Sequence, residues 1–122
     1  MNESPNPEKS SVRMMCFAGL DFAPRFEHGD MAKVAEICGA DDKTQLGVGW
    51  VKLSKARIPW TTRYDEVITV FRGQLQLHTD GDTHNLNKQD SIWLPAGTSL
   101  VYEAENALIH YAIHPANWDL DT

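Results

Sequence analysis

The sequence predicts an all-β domain, either a sandwich or a barrel, and two observations carry this prediction. From Leu46 onward, short runs rich in β-branched, aromatic and leucine residues are separated by turn residues at near-regular spacing, which is typical of sandwiches and barrels. One of the turns is Asp80-Gly81, which follows a run of alternating apolar and polar residues and is a strong signal for a β-hairpin. The chain has 122 residues, the length of a single domain.

The chain divides into three segments. Residues 1–12 are rich in Asn, Ser, Pro and Glu, a composition that predicts a disordered N-terminal tail. Residues 13–45 predict an arm with one or more edge strands. Within it, 14–26 is broken by a glycine and a proline, which predicts a loose arm without a regular element. Ala32–Cys38 is interpreted as a strand, although its pattern also fits a helix. Residues 46–122 predict the β-barrel core.

The strands of the core follow from β-branched and aromatic runs that end at turn residues. They are predicted at 48–58, with an end before Pro59, and at 66–71, Leu75–Thr79, Ser91–Leu94, 100–103 and 107–114.

The predicted hairpin fixes the side-chain directions of its two strands. With a two-residue loop, Leu77 pairs with His84 and Leu75 with Leu86, and paired residues lie on the same face of the sheet. His84 therefore shares the apolar face, and we expect it to be more buried than His78.

Composition excludes several classes of partner. The net charge of −6 argues against nucleic acid and against an anionic membrane surface. No apolar run approaches the ~20 residues of a membrane helix, and the N-terminus has no apolar core of a secretory signal. Without an export signal, Cys16 and Cys38 predict two reduced, structural thiols in a cytoplasmic protein.

Two tracts, 60–73 and 89–97, resemble the two signature motifs of the cupins. This resemblance implies the double-stranded β-helix, a jelly-roll barrel that often holds a catalytic metal. The four positions that carry metal ligands in a typical metal cupin fall here on Trp60, Thr62, Glu66 and Leu100. Because Glu66 is the only one of the four whose side chain commonly binds metals in cupins, the resemblance predicts that the usual metal is absent.

The closer resemblance is to the cupin domain of the ethanolamine-utilisation protein Q family, and it covers about residues 46–118. Its Trp-Thr-x-x-Tyr-Asp-Glu tract is matched by 60–66, and its Pro-Ala-Asn-Trp ending by 115–118. The resemblance implies a dimeric cytoplasmic cupin without histidine ligands, tied to bacterial microcompartments. It also implies acetate kinase activity, which we do not favour. Phosphoryl transfer needs cations, the candidates are Arg57 and Arg63, and the chain has no phosphate-binding glycine loop.

Glu66 is the first candidate for catalysis, because its strand direction points it into the predicted barrel. A buried carboxyl group has a raised pKa, which suits a general acid or base. The alternative is a structural carboxylate bonded to Tyr64, Thr62 or Arg57. Tyr64 is the second catalytic candidate.

Six further residues are predicted to contact a ligand: Arg57, Trp60, Thr62, Tyr102, His84 and His110. Trp60 could stack on a ligand or fill the cavity outright. An unusual metal site made by Glu66, His84 and His110 stays open as an alternative, whereas His28 and His78 are predicted on the surface.

A homodimer is predicted from the distribution of tryptophan. Trp50, Trp93 and Trp118 are more apolar surface than a small barrel buries alone, so one sheet face is expected to meet a second copy. For function, two hypotheses remain at this point. One is a metal-independent enzyme that acts on a small polar or acidic metabolite through Glu66. The other is a non-catalytic sensor or microcompartment-associated binding protein with a largely filled barrel.

Overall fold

The computed structural model describes residues 12–25 and 28–121, with no description of the side chains of residues 120 and 121. Its regular structure is almost entirely β. The strands are β1 Ala23–Pro24, β2 Ala32–Cys38, β3 Gly47–Thr61, β4 Asp65–Gly73, β5 Leu75–Thr79, β6 Asp82–Leu86, β7 Ser91–Leu94 and β8 Ser99–His114. Short 3-10 turns lie at Phe17–Gly19, Ala40–Asp42 and Trp118–Asp121.

The strands pair antiparallel in the order β1-β2-β3-β8-β4-β7, with β5 between β8 and β6. The strand β8 organises the barrel, because it pairs with β3 along one edge and with both β4 and β5 along the other. The chain passes from β4 to β5 at Gly73, where φ is +81°. A Cβ atom at Gly73 would collide with the carbonyl oxygen of Asn106, so this close approach requires glycine.

The core fills the barrel with alternate residues of the central strands. Ile68 and Val70 of β4 and Leu75 and Leu77 of β5 are completely buried. Their neighbours in sequence face outward, the period-2 pattern of a strand with one buried face.

Thr62 is buried at 1% exposure, where it ties the start of β4 to the turn before β8. Its hydroxyl group donates to the carbonyl oxygen of Pro95 at 3.0 Å and accepts from the backbone N–H of Thr98 at 3.0 Å.

Several strand predictions are confirmed. The predicted bounds of Ala32–Cys38, Leu75–Thr79 and Ser91–Leu94 are those observed. The hairpin register is also confirmed, with Leu77 opposite His84 and Leu75 opposite Leu86.

Other strand predictions were wrong. The strand that was predicted to end before Pro59 continues to Thr61. The partner β2 pairs with β3 only as far as Leu53, so Pro59 lies along an unpaired edge that needs no N–H donor. The strands predicted at 100–103 and 107–114 form the single strand β8, whose polar middle residues are exposed.

The arm carries more structure than predicted. Its segment 14–26 was predicted to hold no regular element, yet Ala23 and Pro24 form β1 against Val34 and Lys33 of β2. Most of the predicted tail, and the end of this segment at residue 26, lie outside the described residues.

Candidate functional site

A cavity of about 200 Å³ lies inside the barrel. Its wall comes from β2, β3, β4 and β8, from the arm through Arg25 and His28, and from the C-terminal segment through Trp118 and Asp119. The volume is below the roughly 300–1,000 Å³ of sites for drug-sized ligands. The space therefore suits a small metabolite.

Glu66 faces this cavity from β4 and is only 7% exposed. Burial raises the pKa of its carboxyl group to about 7, although the hydrogen bond from Tyr102 and the charge of Arg25 oppose the rise. A carboxyl group with this pKa exchanges its proton readily near neutral pH.

The hydrogen bonding of Glu66 is one-sided. The hydroxyl group of Tyr102 donates to Oε1 at 2.9 Å. Among the described residues, Tyr102 is the one that bonds to this carboxyl group. In the same part of the chain, no fully buried side-chain oxygen or nitrogen lacks a hydrogen-bond partner. The second oxygen of Glu66 is therefore accessible from the cavity.

Three aromatic rings form a connected wall beside Glu66. The indole N–H of Trp60 donates to the hydroxyl oxygen of Tyr64 at 2.9 Å. The ring of Trp118 packs against Trp60 at 5.7 Å and against Tyr64 at 5.2 Å between centroids. Burial, with the nearby charge of Glu66, raises the pKa of Tyr64 to about 12. Tyr64 therefore keeps its proton at neutral pH.

Sequence reasoning missed several residues of the wall. Tyr111 lines the cavity from β8, and burial raises the pKa of its hydroxyl group to about 12. Strand alternation could have found it, because it lies two residues after the core residue Ile109. Glu36 also lines the cavity, and alternation along the predicted strand Ala32–Cys38 could have found it, because Ala32 and Val34 on the same strand face line the cavity too. Arg25 and Asp119 line the cavity as well, and no sequence signal marks them.

His28 and Trp118 both line the cavity. His28 was predicted on the protein surface, and Trp118 was one of the three tryptophans from whose combined apolar surface a dimer was predicted. Both belong to segments outside the regular strands of the core, where alternation gives no direction. His78 is partly exposed and bonds to Glu103 and Thr83.

Four of the predicted ligand contacts lie away from the cavity, and two of them point outward from strands that line it. Arg57 is paired with Glu103 at 3.2 Å, and its side chain is 64% exposed. His110 packs edge-to-face on Trp50 at 4.9 Å. Arg57 precedes the inward-facing Ile58, and His110 follows the inward-facing Ile109. Strand alternation therefore directs both side chains to the outer face.

Thr62 and His84 lie away from the cavity for different reasons. Thr62 is occupied by its bonds to the turn of residues 95–98. His84 has the predicted register but is exposed, and its ring bonds to Thr79 at 3.2 Å. The expectation that it is more buried than His78 was wrong, because β6 pairs only with β5 and leaves His84 at an uncovered edge.

The residues at the usual cupin metal positions do not fit a metal. Of these four positions only Glu66 offers a ligand, since Leu100 belongs to the core and Thr62 is bonded to backbone. The alternative set of Glu66, His84 and His110 is dispersed over the cavity, a sheet edge and the outer face. Across residues 12–25 and 28–121, no group of three or more His, Cys, Asp or Glu residues could hold a metal ion.

The sequence profile described as ethanolamine utilisation protein EutQ matches residues 10–120. The chain belongs to the EutQ family. This match includes every residue of the cavity wall named above, and the observed fold is that of a cupin. The predicted resemblance and fold class are both confirmed.

Curated EutQ relatives are longer than this chain. Acetate kinase EutQ of Escherichia coli (strain K12) is 28% identical over 86 residues, which cover 70% of this chain and 37% of that protein. Acetate kinase EutQ of Salmonella typhimurium (strain LT2) is 27% identical over 113 residues, which cover 90% of this chain and 49% of that protein. The chain thus spans less than half the length of these two relatives.

Solved structures agree on the fold. The crystal structure of a putative ethanolamine utilisation protein Q from Salmonella typhimurium LT2 has a TM-score of 0.80 at 22% identity, covering 87% of this chain and 88% of that one. An RmlC-like cupin from Shewanella frigidimarina has a TM-score of 0.71 at 16% identity, covering 90% and 96%. No helix in the described ranges has the length and apolar character needed to cross a membrane.

Proposed function

We propose that this EutQ-family cupin binds a small polar metabolite in its cavity and that Glu66 exchanges a proton with it, without a metal. One observation carries the proposal. The carboxyl group of Glu66 has a pKa raised to about 7 by burial, one of its oxygens is held by Tyr102, and the other is accessible from the cavity. A general acid or base is most effective when its pKa is near the working pH.

The surrounding residues have distinct roles in this proposal. Tyr102 fixes the orientation of the carboxyl group through its hydrogen bond. Tyr64 accepts a hydrogen bond from Trp60, so its own hydroxyl proton can be donated to a ligand. Trp60 and Trp118 supply the apolar surface that excludes water.

A screen of small metabolites tests the proposal. We expect ligands that bind the wild-type protein and lose affinity in the variant Glu66→Gln, which keeps the shape of the side chain and removes its titration. The variant Glu103→Gln makes the same change outside the cavity, where Glu103 bonds to Arg57 and His78, and we expect it to bind normally. If Glu66→Gln leaves every ligand affinity and every assayed activity unchanged, the proposal is wrong.

The second hypothesis is binding without turnover. It is supported by the packing of Trp60, Tyr64 and Trp118 on one another, which fills part of the barrel. Each ligand found in the screen is incubated with an equimolar amount of protein and recovered. A ligand recovered unchanged in every case supports a sensor or structural binding protein, whereas a Glu66-dependent product supports the enzyme.

Acetate phosphorylation is a separate candidate because two relatives are named acetate kinase EutQ. Of the two predicted cations for phosphoryl transfer, Arg57 points outward, and Arg63 lies over the outer part of the site at the ring of Trp118. Arg25, which was not predicted, lines the cavity. Acetate-dependent formation of ADP from ATP is the direct assay. We expect none, and turnover that disappears in the variant Arg25→Gln would establish the kinase function for this chain.

We also propose that the protein is a cytoplasmic homodimer. The outer face of the sheet carries Val67, Phe71 and Trp93, which are 43%, 49% and 63% exposed. These residues lie on the neighbouring strands β4 and β7, and Val67 pairs directly with Trp93. A second copy of the chain is the occupant that the sequence prediction and this surface both support.

A further inference from the structure

The charged groups on the cavity wall are predominantly acidic. Three carboxyl groups, those of Glu36, Glu66 and Asp119, share the wall with the guanidinium group of Arg25 and the imidazole ring of His28. Glu66 is the buried member of the three, at 7% exposure, whereas Glu36 and Asp119 are exposed and lie at the open part of the wall. Its second oxygen, which no described residue engages, marks the point where a ligand would contact it.

Aromatic rings form another part of the cavity wall. Trp60, Tyr64 and Trp118 lie in mutual contact and line the same cavity as Glu66, to which Tyr102 is bonded. The face of an aromatic ring carries partial negative charge and attracts cations. Trp118 already has such a contact, since the guanidinium carbon of Arg63 lies 5.6 Å from its ring centroid.

We propose that the occupant of the cavity is a small organic ammonium ion, held between the carboxylate of Glu66 and the rings of Trp60, Tyr64 and Trp118. This inference rests on the proposed function, because it names the ligand class of the same site. A cation restores the stabilisation that Glu66 loses when it leaves water. An anion would be repelled by the carboxylate of Glu66 and by the negative faces of the rings. The guanidinium group of Arg25 is the one full-time cation among the described lining residues, and three carboxyl groups share the wall with it, so the wall favours a cation over an anion.

Three probes of similar small size separate charge from shape. Choline is a quaternary ammonium ion, 3,3-dimethylbutan-1-ol has the same shape without the charge, and acetate is an anion. Binding is followed by NMR at pH 8, where Glu66 is mostly ionised. The indole N–H signals of Trp60 and Trp118 report on the cavity, and those of Trp50 and Trp93 report on the outer surface.

We expect choline to shift the signals of Trp60 and Trp118 and to bind roughly tenfold or more tightly than the neutral alcohol, the usual scale of a desolvated cation–π and carboxylate contact. In Glu66→Gln this preference should fall to roughly a third or less, because the contact with the rings remains. In Glu103→Gln it should be unchanged.

Three results would overturn the inference. They are equal binding of choline and the alcohol, tighter binding of acetate, and no choline binding at about 100 mM, a concentration above the dissociation constant of even a weak site. In the first two cases a ligand still occupies the cavity, so the proposed function stands and only the ligand class is wrong. The proposed function fails separately, when the wider metabolite screen finds no Glu66-dependent ligand.

Discussion

The hydroxyl group of Tyr102 donates a hydrogen bond to Oε1 of Glu66 across 2.9 Å inside the cavity. The bond joins β8 to β4 at a point where the two residues are far apart in the strand register, since Glu66 pairs with Ile113. Because burial favours the neutral carboxyl group and this bond favours the charged one, Tyr102 controls how easily Glu66 ionises.

Replacing Tyr102 with Phe should raise the pKa of Glu66 further, because the bond that lowers it is lost while burial remains. The measurement is an NMR titration of the Glu66 side-chain carboxyl carbon. Tyr64→Phe is the matched control, since Tyr64 bonds to Trp60 and not to this carboxyl group. An equal rise in both variants would contradict the assignment of Tyr102 as the direct partner.

The folding stability of the protein should fall as the pH rises from about 4.5 to about 7. The pKa of Glu66 is raised from 4.5 to about 7 by burial, so in this range the folded state keeps a proton that the unfolded state has released. The corresponding free energy is about 3 kcal/mol, fully lost above pH 7. Burial also raises the pKa of Glu36, which acts in the same direction.

Chemical denaturation of the wild type and Glu66→Gln at pH 5 and pH 8 isolates the contribution of Glu66. The wild type should lose more free energy of unfolding between these pH values than the variant does. A wild type and variant that respond identically to pH would show that Glu66 titrates normally in the folded state.

Thr62→Val should destabilise the fold by roughly 1–3 kcal/mol, because the N–H of Thr98 loses its hydroxyl acceptor and the carbonyl oxygen of Pro95 keeps only the bond from the Thr98 hydroxyl group. Thr61→Val is the control at the neighbouring position. Its hydroxyl group bonds only to that of Ser99 in an exposed position, so its change should stay within about 0.5 kcal/mol. Comparable losses in urea denaturation would contradict this role of Thr62.

Gly73→Ala and Gly81→Ala separate backbone strain from steric collision. Both glycines have positive φ, +81° and +78°, but only at Gly73 does an added Cβ atom meet the backbone of residue 106. Gly81→Ala should cost about 1 kcal/mol, and Gly73→Ala clearly more. Thermal unfolding of the two variants measures the difference, and equal losses would mean that β8 moves aside at no cost.

Trp93→Lys should shift the protein from dimer to monomer, because it replaces the most exposed of the three side chains on the apolar face with a charged one. Sedimentation velocity measures the change. Asp80→Lys introduces the same residue at the exposed hairpin turn and should leave the assembly unchanged. A wild type that sediments as a monomer would disprove the dimer.

The sequence was sufficient to predict the parts of the molecule that depend on local alternation. The hairpin register and the inward direction of Glu66 followed from it, and Trp60, Tyr64 and Tyr102 line the cavity together with Glu66. Arg57 and His110 lie outside the cavity, in the direction to which the same alternation sends both.

The rest of the site depends on contacts that local pattern does not encode. Arg25 and Trp118 reach the cavity from segments that precede β2 and follow β8, and neither segment has a regular periodicity. His84 has the correct register but no covering strand, because exposure is decided by which strand lies next to β6.

The continuous strand β8 has a further consequence for how this sequence can change over evolution. Its consecutive residues His110 and Tyr111 serve opposite surfaces, the outer face and the cavity. An insertion or deletion of one residue in β8 would exchange the two surfaces over the rest of the strand. Insertions and deletions in β8 should therefore be tolerated only when they involve two residues or form a β-bulge. The number of residues between Tyr102 and Tyr111 is expected to vary less among descendants than the identities of those residues.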